Sequence, residues 1–534
     1  MFGNLGAVGL VGPDEPRYAW IARAMAASGD WVTPRLYGQP WFEKPVLYYW
    51  AAAIGFLLHL PVEWALRLPS AFAALAAAIA IGWLSSKHYR NGARLVADRP
   101  ALLAPLLFST TVATIGFARA ATPDMLFSAS IALAMASAAT IFRHAGLLSA
   151  DVPGAAAAPG VARASNSLPL VLFGGFLGLA VLAKGPAAVL LSGGSVVLWA
   201  LATKHWRAAL GLAHPYALVS FCLVVLPWYV LCAYRNPDFI HVFIFQHNFE
   251  RYLTPVYQHR QRFWFFGPIT LLALLPWTVL LWPAAQEGLR LWREKSWHDS
   301  PSLFFACWAI FPILFFSFSQ SKLPSYILPA IPALALLCAA SLSRLTSLSI
   351  PKRSPASAIG LAISCTWLVL DIAAAIWTHR LPAAEHDAVS NSILLAAILA
   401  VVSSAGIAIL AFRRNNTFLS LSFLLVTVLV GIAGVSILPR LDPFVSARWH
   451  AQLLQNDRHP DRIFTYHLPR SWCYGLAFYL GRELPEWSPS DPNPALVLTT
   501  PAGFGEIRQL HRFFGDLEET VQGILYVPIG PMRQ

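Results

Sequence analysis

Long apolar runs, each closed by charged or proline-rich punctuation, recur along most of the chain. About twelve approach the length that carries a helix across a bilayer, near 64–84, 100–117, 124–142, 168–183, 186–202, 212–232, 263–284, 301–318, 325–342, 357–377, 391–412 and 416–438. Only Lys184-Gly185-Pro186 separates 168–183 from 186–202, and two helices fit the combined length better than one kinked helix. Met1–Gly12 is apolar but too short to span, and it lacks the basic start of a signal peptide. Either this segment does not cross, or a further helix precedes it. The expected fold class is thus a polytopic α-helical membrane protein with about 12–13 transmembrane helices.

Two regions break the apolar pattern. Residues 12–50, GPDEPRYAWIARAMAASGDWVTPRLYGQPWFEKPVLYYW, mix acids, bases, Trp and Tyr. Arg17, Arg23 and Asp30 interleave with Tyr18, Ala22 and Met25, so 16–28 suits an amphipathic helix in the interface plane, with Trp20 and Trp31 as anchors. Asp14 fits an N-cap, Pro16 the first turn and Gly29 the stop. On these grounds alone, a helix cap is the plainer reading of Asp14. After Leu438 the chain turns mixed and polar, with strand-like ALVLTT (495–500) and GILYVP (523–528). The expected organisation is a first extracytoplasmic loop over 1–63, a helical membrane domain over 64–438, and a small C-terminal α/β domain on the extracytoplasmic side over 439–534. Residues 143–167 read as a flexible cytoplasmic linker.

Composition and charge agree with this picture. Hydrophobic residues make up 57% of the 534 and charged residues 12%, more apolar mass than one aqueous core holds. The net charge of +12 concentrates in alternate loops, including Lys87 to Arg99, Arg143, Lys204 to Arg207, Arg290 to Lys295 and Arg344 to Arg353. The positive-inside rule makes these cytoplasmic and accounts for the excess without nucleic-acid binding. The polar motifs all fall on the other side. The six cysteines form no CxxC pair and mostly lie in apolar runs, so they read as core residues.

The stretch DEPRYAWIARAMAASGDWVTPRLYGQPWFEKPVLYYW, followed in order by VLAKGPAAVLL (181–191), FQHNFERY (245–252), SQSKLPSYILPAIPALALL (319–337) and LAFYLGRELP (476–485), resembles the bacterial lipid-linked-sugar glycosyltransferases of the GT-C fold. The nearest branch is the aminoarabinose transferases that modify lipid A, relatives of the protein O-mannosyltransferases. The resemblance implies a membrane enzyme that takes a sugar from a polyprenyl-phosphate donor. Such a donor carries its own leaving group, so it needs cations fixed near the bilayer surface and a carboxylate beside the acceptor. On this resemblance Lys44 binds the lipid phosphate, with Arg251, Lys322 and Tyr326 as further ligands. Asp14 matches the essential acid, a general base on an acceptor hydroxyl, or an orienting group if the acceptor is an ionised phosphate. Arg17, Asp124 and Lys184 join as substrate-binding candidates, each with a plainer alternative: a partner for Asp14, a helix cap and a helix-end charge. Glu43 and His247 match positions that hold a divalent metal in relatives, although an interfacial His satisfied by its neighbours is the plainer reading. The resemblance implies no certain cofactor and leaves such a divalent ion as the one open option.

The implied partners are the polyprenyl-phosphate sugar, a glycolipid or protein acceptor and the bilayer. Lipid A-like acceptors are favoured over proteins, with inversion at the anomeric carbon. The implied location is the bacterial inner membrane, with the site facing the periplasm. A transporter or flippase of a lipid-linked precursor is the rival from another class. It predicts ionisable residues at the bilayer midplane, whereas here they cluster at one surface.

Overall fold

A computed structural model of the chain describes residues 1–88, 99–148, 166–250, 261–347, 355–413, 417–456, 462–491, 493–509, 518–519 and 524–529. Among the described residues, eight helices are long and apolar enough to span a bilayer: Val62–Lys87, Asp124–His144, Ser167–Lys184, Pro215–Arg235, Pro324–Arg344, Ser357–Thr378, Ala383–Phe412 and Phe418–Val445. A ninth arises if Phe263–Ala273 and Trp277–Arg293, bent by 108° at their junction, count as one. Leu47–Leu57, Ala187–Thr203 and Pro301–Ser317 are shorter apolar helices. Other apolar runs of the sequence fold, among the described residues, as these shorter helices or as broken pieces. The run at 100–117 divides into Arg99–Ser109 and Val112–Phe117, with the Thr111 hydroxyl capping the second piece through Thr114 N. The stretch 168–202 is two helices, separated where Gly185 adopts φ 106° and Pro186 begins the next turn. The proposed cytoplasmic linker lies mostly outside the described residues.

Helix Asp124–His144 lies at the centre, 94% of its most apolar window being buried against 17% for Ala383–Phe412. Its Ala- and Ser-rich sequence lets neighbouring backbones approach closely. It packs antiparallel to Ser167–Lys184. Asp124 meets Lys184 at one end, and His144 Nδ1 lies 2.9 Å from Asn166 Oδ1 at the other. A Cβ on Gly174 would fall 1.9 Å from the Ala217 carbonyl oxygen, so only glycine allows this contact between Ser167–Lys184 and Pro215–Arg235.

The first loop folds as helix Asp14–Ser28, a short strand pair with Arg35 opposite Pro40, and helix Leu47–Leu57. Gly29 ends the first helix in the left-handed conformation, as its position predicts. The N-cap falls on Pro13, not on Asp14, and no side chain caps this end. Asp14 instead opens the first turn, where an acid still suits the helix dipole. The loop is pinned to the end of Pro215–Arg235 by Trp228 Nε1 donating to Val32 O at 2.9 Å and Asn236 Nδ2 to Thr33 Oγ1 at 3.0 Å.

Past the last span, four strands form a sheet in the order 463–466, 495–499, 525–529, 518–519. The first pair is parallel, with Ile463 opposite Leu496, and the others are antiparallel. Helices Arg448–Asn456, Arg470–Leu480 and Pro501–Gln509 accompany the sheet. The N-terminal segment runs beneath this region: Leu5 and Leu10 are buried, Gly9 N donates to Asp442 Oδ1 at 2.6 Å, and Leu10 N donates to the Tyr479 hydroxyl at 2.9 Å.

Candidate active site

Helix Asp14–Ser28 projects Asp14 and Arg17 from one turn to the next, and the turn before Leu47 brings Glu43 and Lys44 to meet them. Arg17 Nη2 pairs with Asp14, and Nη1 donates to Glu43 Oε2 at 3.1 Å. The other Glu43 oxygen accepts from Lys44 Nζ at 3.3 Å. The result is a chain of alternating charge, Asp14–Arg17–Glu43–Lys44. Arg17 also donates through Nε to Pro13 O at 3.1 Å. Its guanidinium carbon lies 5.6 Å from the Trp41 ring centroid and 5.5 Å from that of Tyr474. Burial works against the Arg17 charge, but Glu43 and Asp14 more than offset it and hold its pKa above the ordinary guanidinium range. Asp14 is the exposed end of the chain, with its side chain 52% accessible.

A second cluster forms where two spanning helices end. Asp124 opens its helix and Lys184 closes the neighbouring one, so each charge sits at the helix end whose dipole favours it. The two side chains form an ion pair. Ser325 of the SKLPSY motif donates a hydrogen bond to Asp124, and Lys184 Nζ stands 5.1 Å from the Tyr326 ring centroid. Lys44 acts electrostatically on Asp124, which links this cluster to the first. Lys322 is buried; its ammonium donates to Gln261 O at 3.1 Å and to Ser319 O. Desolvation draws the Lys322 pKa below the ordinary lysine range.

Asp14, Arg17, Glu43 and Lys44 therefore meet in one network, and Asp124, Lys184 and Tyr326 in another. Lys322 stands three residues before Ser325. His247 lies on the helical turn His241–Glu250, and Arg251 lies outside the described residues. Glu43, one of the two residues matched to a metal position, is engaged with two cations. No three His, Cys, Asp or Glu side chains gather among the described residues.

Sequence reasoning missed Glu15 as a structural element. Its carboxylate is buried and accepts from Val11 N at 2.9 Å, Ala121 N at 2.7 Å and Arg67 Nη2 at 2.8 Å. Arg67 in turn donates to Leu5 O, Val8 O and Gly9 O, each at 2.7 Å. The one available signal was an acid directly beside Asp14 on a helix, which must face another way. Tyr474 carried no signal, because it reaches the site from a segment far along the chain.

The arrangement of membrane helices is that of the GT-C fold. The chain superposes on the crystal structure of ArnT from Cupriavidus metallidurans bound to undecaprenyl phosphate with a TM-score of 0.74, over 99% of this chain and 97% of that one, at 23% identity. The apo form of the same protein gives 0.72. Residues 1–243 match the family model described as dolichyl-phosphate-mannose-protein mannosyltransferase. Two curated relatives are named undecaprenyl phosphate-alpha-4-amino-4-deoxy-L-arabinose arabinosyl transferase. The one from Edwardsiella ictaluri is 32% identical over 334 residues, 62% of this chain and 56% of the relative. The one from Erwinia tasmaniensis is 33% identical over 327 residues, 61% and 54%. The aligned part spans about half the length of these relatives. The motif-level resemblance is matched by these relatives, and the fold is that of the ArnT structure.

Proposed function

We propose that this chain is an integral-membrane glycosyltransferase that moves a sugar from a polyprenyl-phosphate donor to an extracytoplasmic acceptor of the lipid A type, with inversion. The observation that carries the reading is the Asp14–Arg17–Glu43–Lys44 chain, exposed at Asp14 and linked through Lys44 to the Asp124–Lys184 pair. In this reading Lys44 and Lys184 face the donor phosphate, with Lys322, Tyr326 and Arg251 completing that side. An acceptor oxygen attacks the anomeric carbon as the sugar–phosphate C–O bond breaks. The bonding pair leaves on the phosphate, whose growing charge the fixed cations neutralise. Asp14 takes the proton of an acceptor hydroxyl, or orients an acceptor phosphate that carries none. Because Glu43 already faces two cations, its role is to hold Lys44 and Arg17 in place.

The location that fits is the bacterial inner membrane, with this rim in the periplasm beside a loop domain over 1–63 and a C-terminal domain over 439–534. The end of the central helix away from the site carries Arg143 and His144, and the end of Pro324–Arg344 carries Arg344, which pairs with Glu287. A protein acceptor is the second reading, favoured by the family match over residues 1–243.

The test is transfer by the purified full chain in detergent, with undecaprenyl phosphate-linked aminoarabinose as donor and either lipid A or an unstructured Ser/Thr peptide as acceptor, followed by mass spectrometry. Glycosylated lipid A supports the first reading and glycosylated peptide the second. Consumption of neither donor nor acceptor, together with movement of donor across sealed proteoliposomes, would replace both with transport.

A further inference from the structure

The C-terminal helix Arg470–Leu480 lies against the loop helix that carries Asp14. Arg23 Nη1 donates to Phe478 O at 3.1 Å, and its guanidinium stands 4.2 Å from the Phe478 ring centroid. One turn nearer the start of that helix, Tyr474 stacks on Tyr37 at 6.4 Å and 18° while standing 5.5 Å from the Arg17 guanidinium. Trp41 supplies a second ring contact to the same guanidinium at 5.6 Å. The planar guanidinium of an arginine that bridges two carboxylates also stacks on aromatic faces, and rings placed there limit its exchange among partners and water. Of the two rings, only Tyr474 comes from outside the first loop.

We infer that Tyr474 is a positioning residue for the transfer reaction: the C-terminal domain supplies an aromatic contact that holds Arg17 between Asp14 and Glu43, so that the site is complete only when this domain is docked. The inference rests on the transferase reading above. It assigns the LAFYLGRELP segment and the residues just before it a task at the reacting rim. Arg23 and Phe478 dock the helix, and Tyr474 delivers the docking to Arg17. The effect falls on the Asp14 side of the chain of charges, away from the phosphate-binding lysines. Loss of the ring therefore acts on turnover and leaves donor capture intact.

The experiment compares Tyr474→Ala and Tyr474→Phe in the purified full chain, with the undecaprenyl phosphate-linked donor and lipid A, alongside thermal unfolding in the same detergent. Phe keeps the ring over Arg17 and loses only the hydroxyl. The expected result is a kcat lowered about tenfold in Tyr474→Ala, with the donor KM within about twofold and the unfolding midpoint retained, and a Tyr474→Phe enzyme within about twofold of the parent. A Tyr474→Ala enzyme with parental kcat overturns the inference. So does a Phe variant as impaired as the Ala variant, or a loss that appears in donor KM or in unfolding alone. Asp14→Asn, run in parallel, separates this inference from its premise. If Asp14→Asn is inactive while Tyr474→Ala is unimpaired, only the inference falls; if Asp14→Asn stays active, the transferase assignment of the site falls as well.

Discussion

Asp14 and Glu15 are neighbours of the same chemical type on the same helical turn, yet the fold gives them opposite surroundings. The Asp14 side chain is 52% accessible and meets one cation, whereas that of Glu15 is 9% accessible and meets Arg67 and two backbone amides. Successive helical residues point about 100° apart, so a two-acid sequence at the start of an interfacial helix must send one carboxylate outward and one inward. The inward one ties together the N-terminal segment, the loop helix and the start of Val62–Lys87 through Arg67. The outward one is left for chemistry. A buried carboxylate held in its ionised form by a guanidinium and two amides is out of reach of a substrate proton, whereas a half-exposed one can meet it.

Breaking the inner half costs the fold. Glu15→Ala leaves Arg67 buried without its counter-charge, which destabilises by about 3–5 kcal/mol. Thermal unfolding in detergent should show a lowered midpoint and a reduced folded yield. Breaking the outer half costs only the reaction. Asp14→Asn should lower transfer at least ~10³-fold, about 4 kcal/mol of barrier, while the unfolding midpoint stays at the parental value. If the two phenotypes exchange, the division between them is wrong.

Lys44→Ala sharpens the outer half further. It should raise the donor KM about tenfold through the lost phosphate contact, because a charge-assisted hydrogen bond contributes roughly 1.5–3 kcal/mol. A rate whose dependence on donor concentration is unchanged would move Lys44 out of the donor side. The smallest expected effect belongs to metal removal. Both oxygens of Glu43 already face cations, so exhaustive chelation should leave transfer within about twofold, and a reversible loss restored by a divalent ion would establish the metal assignment instead.

Much of the fold is legible in the sequence because a bilayer demands long apolar helices, and these stand out as runs bounded by charge. The interfacial helix, its Gly29 stop and the two-helix reading across Gly185-Pro186 follow from local rules of the same kind. Broken helices are harder to see. Apolar composition continues across Thr110-Thr111 and across 274–276, so nothing in the hydrophobic pattern marks the interruption. At the site, residue type and motif order bring Asp14, Arg17, Glu43 and Lys44 into view, since all four lie on one stretch. Their mutual pairing does not follow, because it depends on how a turn folds back on a helix. That is why the bridge that Glu43 makes between two cations is not visible in the sequence. Glu15, Arg67 and Tyr474 owe their roles to contacts between distant segments, which no local pattern encodes.

Residues 14–44 carry an entire ion-pair chain on one uninterrupted piece of polypeptide, while the Asp124–Lys184 pair depends on two separate helices. A graft of that single loop into a related scaffold would transplant the acid and its ion partners as a cassette, while the helix-end pair and the ring that Tyr474 places over Arg17 would come from the recipient. Chimeras built at this junction would therefore reveal whether selectivity for the arriving molecule travels with the cassette or stays with the host.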